Sequence, residues 1–126
     1  MLILDSGGFT KLSNRSTQAL ALVRELMACG LWPPVVPTPV LVEALHGDAG
    51  RDANANAFLK TCVTESVVSI SLARRAAELR RRARTGSAVD ALVVAVAEPG
   101  GTVLTGDAAD IGALATHARD VAVELI

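Results

Sequence analysis

Tyrosine is absent from the chain, and two phenylalanines and one tryptophan supply all its aromatic character, 2% of 126 residues. Recognition by stacking unpaired bases on aromatic rings therefore cannot be its main mode. Its two cysteines, Cys29 and Cys62, sit in apolar segments and form no C-x-x-C, which predicts reduced core residues and a reducing compartment. No apolar run approaches the ~18 residues of a membrane span, and Met1-Leu2-Ile3-Leu4 meets Asp5 without a basic region, so neither insertion nor export is expected. A cytoplasmic location is the resulting expectation. His46 and His117 have no metal-ligand partner at helical spacing and are expected on the surface. Lysine is confined to Lys11 and Lys60, which argues against a phosphoacceptor receiver domain, since that needs a lysine after a late strand.

What is present in quantity is aliphatic: 51% of residues are hydrophobic, mostly Ala, Val, Leu and Ile. One domain spanning 1–126 is expected, with a core of helices packed on a buried sheet. Short apolar strands are predicted at Leu2–Leu4, Val35–Val36, Val67–Ile70, Thr102–Leu104 and Val121–Ile126. Between them fall helical stretches. One is capped by Ser16 or Thr17, and one begins at Thr38-Pro39 and ends at Gly47. One contains Phe58 to Val63, one is capped by Ser71, one follows Ser87 and one follows Asp107. Asp5-Ser-Gly-Gly reads as a tight turn, and Asp48 to Asn56 as a polar, mobile loop. Strands alternating with helices predict an α/β class: a central parallel sheet of four to five strands with helices on both faces.

In such sheets ligands bind at the carboxyl ends of the strands. Asp5 follows the first strand, Glu43 lies early in the helix after the second, and Asp107 follows the fourth. Asp90 is in the first turn of Ser87–Ala97, an apolar helix without a polar face that must be covered on all sides. Each acid has a plainer reading: Asp5 as a turn, Glu43 as a solvated helix residue, Asp107 as a cap, and Ser87-x-x-Asp90 as a capping box. Their arrival at one edge is what singles them out. Two carboxylates about 5 Å apart repel by roughly 3 kcal/mol at an effective dielectric of 20. A divalent cation removes that conflict, and oxygen-only ligands select a hard ion, Mg²⁺ or Mn²⁺. Phosphodiester hydrolysis is the matching chemistry.

Leu2-Ile-Leu-Asp5-Ser6, Val40-Leu-Val-Glu43-Ala44, Ser87-Ala-Val-Asp90-Ala-Leu and Thr105-Gly-Asp107-Ala-Ala-Asp110-Ile resemble, in order and spacing, the PIN-domain ribonucleases, and among them the VapC-type toxins of toxin–antitoxin pairs. The resemblance implies a three-layer α/β/α sandwich, metal-dependent endoribonuclease activity with Mg²⁺ or Mn²⁺, homodimerisation and a cognate VapB-type antitoxin. It implies that Asp5, Asp90 and Asp107 bind metal, and that Glu43 orients or deprotonates the attacking water or holds a second ion. Asp110 is auxiliary. Ser6, Ser87 and Thr105 are hydroxyls that orient the carboxylates or bind phosphate, with simple capping as the alternative. Gly7-Gly8 replaces bulkier residues of many relatives and predicts a looser first turn.

Net charge is −1, but six arginines and Glu78 crowd residues 71–86 while the chain beyond is acidic. Arg74, Arg75 and Arg81 are expected to be a solvated face; Arg80, Arg82 and Arg84, which approach the Asp90 turn, are candidates for RNA or antitoxin contact. A competing function is a catalytically weak PIN-like module that only binds, within a toxin–antitoxin repressor complex.

Overall fold

Leu2, Ile3 and Leu4 are all shielded from solvent, as strand residues covered on both faces must be. They form β1 (Leu2–Leu4), and the computed structural model, which describes all 126 residues, builds the rest around it. After β1 come α1 (Ser6–Ser13), α2 (Thr17–Ala28), β2 (Val35–Pro37), α3 (Thr38–Ala44), α4 (Ala53–Leu59) and β3 (Val63–Glu65). The second half runs α5 (Ile70–Ala83), α6 (Ala88–Ala97), β4 (Thr102–Thr105), α7 (Ala108–Ala115) and β5 (Ala122–Leu125). The five strands are all parallel, in the order β3-β2-β1-β4-β5. Ile3 lies opposite Val35 on one side and Val103 on the other. The chain moves outward from β1 to β3 and then restarts on the far side of β1 with β4. Between β1 and β4 the strand order reverses, and the carboxyl ends there open a crevice.

Helices α1 to α4 gather around α1, and α5 to α7 around α6; both α1 and α6 pack on β1 and β4. The result is the expected α/β/α sandwich. In α6, Ala91, Val93, Val94, Ala95 and Ala97 are buried, which accounts for its lack of a polar face. Val93 and Val94 are fully covered, each contributing about 2 kcal/mol from burial. Ser87 starts the helix as the expected capping box, its Oγ accepting from Asp90 N at 3.0 Å while Asp90 Oδ2 accepts from Ser87 N at 3.0 Å. Pro99-Gly100-Gly101 follows its end, and Gly101 N–H donates to Ala97 O at 2.8 Å.

Several local expectations are corrected. The predicted turn after Asp5 is the first turn of α1, in which Gly8, Phe9, Leu12 and Ser13 are buried at helical spacing. Gly7-Gly8 does not loosen it: a side chain on Gly8 would meet Leu104 O at 2.3 Å, so glycine lets α1 lie directly on the end of β4. The third strand is Val63–Glu65, not Val67–Ile70, because Val63–Glu65 pairs with β2. Glu65 Oε1 then turns the chain by accepting from Val67 N at 3.1 Å, and Ser69, not Ser71, caps α5. Val67, Val68 and Ile70 are consequently exposed. Pro37 is the N-cap of α3, and that helix ends at Ala44 rather than Gly47. The polar segment before α4 is organised by buried Asp52, whose carboxylate accepts from His46, Gly47 and Asp48 N–H at 2.9, 2.9 and 3.2 Å. Those bonds, that from His46 first, hold its pKa below the ordinary carboxylate value. Cys29 is exposed just past α2 rather than in the core; Cys62 is part-buried, and burial pushes its thiol up to about 11, which keeps it protonated and inert.

Arg75 is the remaining correction. It is no solvated residue: its guanidinium forks onto Glu98 with Nε to Oε1 at 2.7 Å and Nη2 to Oε2 at 2.8 Å. Glu98, whose side chain is 4% exposed, also accepts from Arg119 N at 2.7 Å. This cluster ties α5, the end of α6 and the segment after α7 together at the amino-terminal end of the sheet.

Candidate active site

The site is built from strand ends inward. Asp5 ends β1 and caps α1: Oδ1 accepts from Gly8 N at 2.7 Å, and Oδ2 accepts from the Thr105 hydroxyl at the end of β4. Both Asp5 and Thr105 are buried, at 7% and 0% exposure. Burial lifts the Asp5 carboxyl above its ordinary pKa; its bonds to Thr105 and Gly8 oppose the shift, and the charge of Asp90 adds to it. Asp5 and Asp90 therefore stand close enough to repel across the crevice.

Thr105 joins two of the acids. Its oxygen accepts from Asp107 N at 3.0 Å, and its hydroxyl proton has two acceptors in reach, the Asp5 carboxylate and Asp107 O at 2.9 Å. The charged oxygen is the stronger acceptor. Asp107 then caps α7, with Oδ1 accepting from Ala109 N at 3.0 Å. One hydroxyl thus fixes the Asp5 side chain and the turn that presents Asp107.

Asp90 enters from the side on α6. Its capping-box bond uses Oδ2, so capping leaves Oδ1 free of any protein partner. Glu43 on α3 is exposed and makes no side-chain hydrogen bond or ion pair within the chain. Asp110, in the first turn of α7, accepts from Thr85 Oγ1 at 2.6 Å, which links the end of the α5–α6 connection to the same rim. Asp5, Glu43, Asp90, Asp107 and Asp110 line a single open cavity of about 460 Å³ at the carboxyl edge.

The donor set is all oxygen, with neither histidine nor cysteine lining the cavity, and such donors fit a hard divalent ion. No three of the acids converge tightly enough to form a closed chelate by themselves. An Mg²⁺-type ion that keeps most of its waters and takes one or two carboxylates suits this spacing better than a caged ion does.

Of the hydroxyls, Ser6 lines the cavity, Thr105 lies beneath it holding Asp5, and Ser87 acts on Asp90 through the cap. The three arginines lie elsewhere. Arg80 Nε donates to Gly86 O at 3.2 Å, Arg82 pairs with Glu78 at 2.9 Å, and Arg84 is the left-handed C-cap of α5 with φ 58°. None of them lines the cavity. Two polar side chains of the lining were missed in the sequence, Thr10 and Lys11, which share a face of α1 with Ser6 and Gly7. The signal was there in Phe9, Leu12 and Ser13, whose spacing marks the opposite, buried face of a helix.

A five-stranded parallel sheet with order β3-β2-β1-β4-β5, helices on both faces and acids at the β1/β4 crevice is the architecture of a PIN-like domain. No protein-family model matches the chain, and no curated protein does. Among solved structures it is similar to Mycobacterium tuberculosis VapC20, a sarcin-ricin loop cleaving toxin, with a TM-score of 0.62. The likeness covers 96% of this chain and 98% of that one at 20% sequence identity, and is one of fold.

Proposed function

We propose that this protein is a divalent-metal-dependent endoribonuclease of the toxin type, hydrolysing RNA phosphodiester bonds at the β1/β4 crevice. The observation that carries the reading is the gathering of five carboxylates in one cavity at the switch point of this fold, around a buried Asp5. In the reading, Asp5, Asp90 and Asp107 would hold Mg²⁺ or Mn²⁺, one or two of them directly and the rest through its waters, and the bound ion would withdraw charge from the scissile phosphate and lower the pKa of water. The chain's own residues do the rest. The Thr105 hydroxyl fixes the Asp5 carboxylate and the Ser87 backbone N–H that of Asp90, so that little ordering is left for the moment of reaction. Glu43, free of internal partners, accepts the proton of the attacking water. Asp110, braced by Thr85, stands at the rim as an auxiliary acid.

The reading is supported by the similarity in fold to a toxin that cleaves the sarcin-ricin loop. It carries with it a VapB-type antitoxin that covers the crevice and a homodimeric state. No helix is long and apolar enough to cross a membrane. One observation favours the alternative, a PIN-like module that binds without turnover: the acids do not close into a three-ligand chelate. Purified protein incubated with labelled RNA and Mn²⁺ decides. Endonucleolytic cleavage that stops with chelator and in Asp90→Asn is the expected result; RNA bound but left intact supports the module, and chelator-resistant cleavage overturns metal dependence.

A further inference from the structure

Lys11 is the one cationic side chain among the residues lining the carboxylate cavity. Five acids share that cavity with it, yet none pairs with it: the four ion pairs of the molecule all belong to arginines. Its ammonium instead donates to the main-chain oxygen of Ile126, which leaves two of its three protons free. Ile126 is itself fixed, its N–H donating to Thr105 O at 3.0 Å. The stem runs past Gly106, where a methyl group would lie 3.8 Å from Cε, so the turn between Thr105 and Asp107 leaves the lysine its path. A cation is thus held beside the acids without being neutralised by them, and an anionic substrate that must approach five carboxylates needs such a group.

We propose that Lys11 is the phosphate-binding residue of the site, taking the backbone phosphate of a single-stranded RNA through its free ammonium protons. The assignment rests on the ribonuclease reading above, and it places the cation on α1 rather than on the arginine-rich α5. Lys11 acts on binding and not on bond cleavage, so its removal changes KM and leaves kcat near native.

The test measures kcat and KM on a mixed-sequence RNA in Mn²⁺ at several KCl concentrations, together with thermal unfolding. Lys11→Met is expected to raise KM roughly tenfold at low salt, equivalent to about 1.4 kcal/mol. The slope of log KM against log salt should flatten by about 0.7, the value for one lost single-strand phosphate contact. Lys11→Arg should restore that slope, and Lys60→Met, which removes the same charge outside the cavity, should leave it native. A Lys11→Met protein that melts lower but keeps the native KM and salt slope overturns the proposal, because the lysine then only staples Ile126. Equal losses in Lys60→Met overturn it as well, by making net charge the cause. If the native chain itself cleaves no RNA in Mn²⁺, the ribonuclease reading falls and the assignment with it; native cleavage with an unaltered Lys11→Met overturns the Lys11 assignment alone.

Discussion

Two largely buried carboxylates sit at opposite ends of this sheet in opposite electrostatic states. Glu98, at the amino-terminal end, is gripped by Arg75 and bonded to Arg119, and the Arg75 hydrogen bonds hold its pKa down to about 2. Asp5, at the carboxyl end, has two hydrogen bonds and an acidic neighbour, and burial raises its pKa. One end has its charge answered from within the chain and serves stability. The other is left unanswered by the chain's own side-chain bonds, which is the imbalance that the proposed metal-dependent reaction needs.

The largest way to break the contrast is at the unanswered end. Asp5→Asn and Asp90→Asn should each lower RNA cleavage by a factor on the order of 10² to 10³, the range seen when one group that stabilises a transition state is removed. Asparagine can still cap α1 and accept from Ser87 N–H, so circular dichroism should remain native. Metal-free Asp5→Asn should also be no less stable than the native chain at neutral pH, because it removes an ionised group that burial disfavours.

At the answered end the outcome reverses. Glu98→Gln should cost about 1 to 3 kcal/mol in denaturant unfolding, since it removes the carboxylate on which Arg75 and Arg119 converge and leaves Arg75 only Glu78 and the His117 carbonyl, while leaving RNA cleavage intact. The pH dependence has a definite sign. Because the folded Glu98 pKa is depressed from 4.5 to about 2, its contribution is fully present above the unfolded value and is lost as pH falls through that window. Unfolding followed between pH 6 and 2 should show this loss in the native chain and not in Glu98→Gln.

Gly8→Ala tests how the two ends are joined. Its methyl would collide with Leu104 backbone at 2.3 Å, so it should cost about 1 to 3 kcal/mol and reduce cleavage by shifting the Asp5 cap. The smallest effect is expected for Thr85→Val, which removes the exposed bond to Asp110. Stability should change by less than about 1 kcal/mol, and cleavage only slightly.

These two ends were unequally legible in the sequence. Asp5, Asp90 and Asp107 could be placed together because each follows a strand or starts a helix, and chain order alone assigns strand ends to one edge of a parallel sheet; Glu43, expected early in its helix, stands instead in the last turn of the short α3 and still lines the cavity. The capping box of α6 was equally plain, since Ser87 and Asp90 are local. Glu98 with Arg75 was not: the partners are 23 residues apart, and Arg75 stands in an arginine run that looks uniformly solvated. Lys11 was hidden for a different reason. Two glycines in the first turn of α1 made a helix look like a turn, and only the contact of Gly8 with β4 explains why glycine is used there. The misplaced third strand had the same root. Val67-Val68-Ser-Ile70 has the composition of a buried strand, but pairing with β2 selects Val63–Glu65 instead.

Mn²⁺ titration followed by backbone amide NMR tests the contrast most directly. Paramagnetic broadening should appear first at Gly7, Gly8, Asp90, Gly106 and Asp107, spare Glu98 and Arg119, and vanish from the first group in Asp90→Asn. Broadening that is spread evenly over both ends, or that persists at the crevice in Asp90→Asn, would contradict a metal site made by the uncompensated acids.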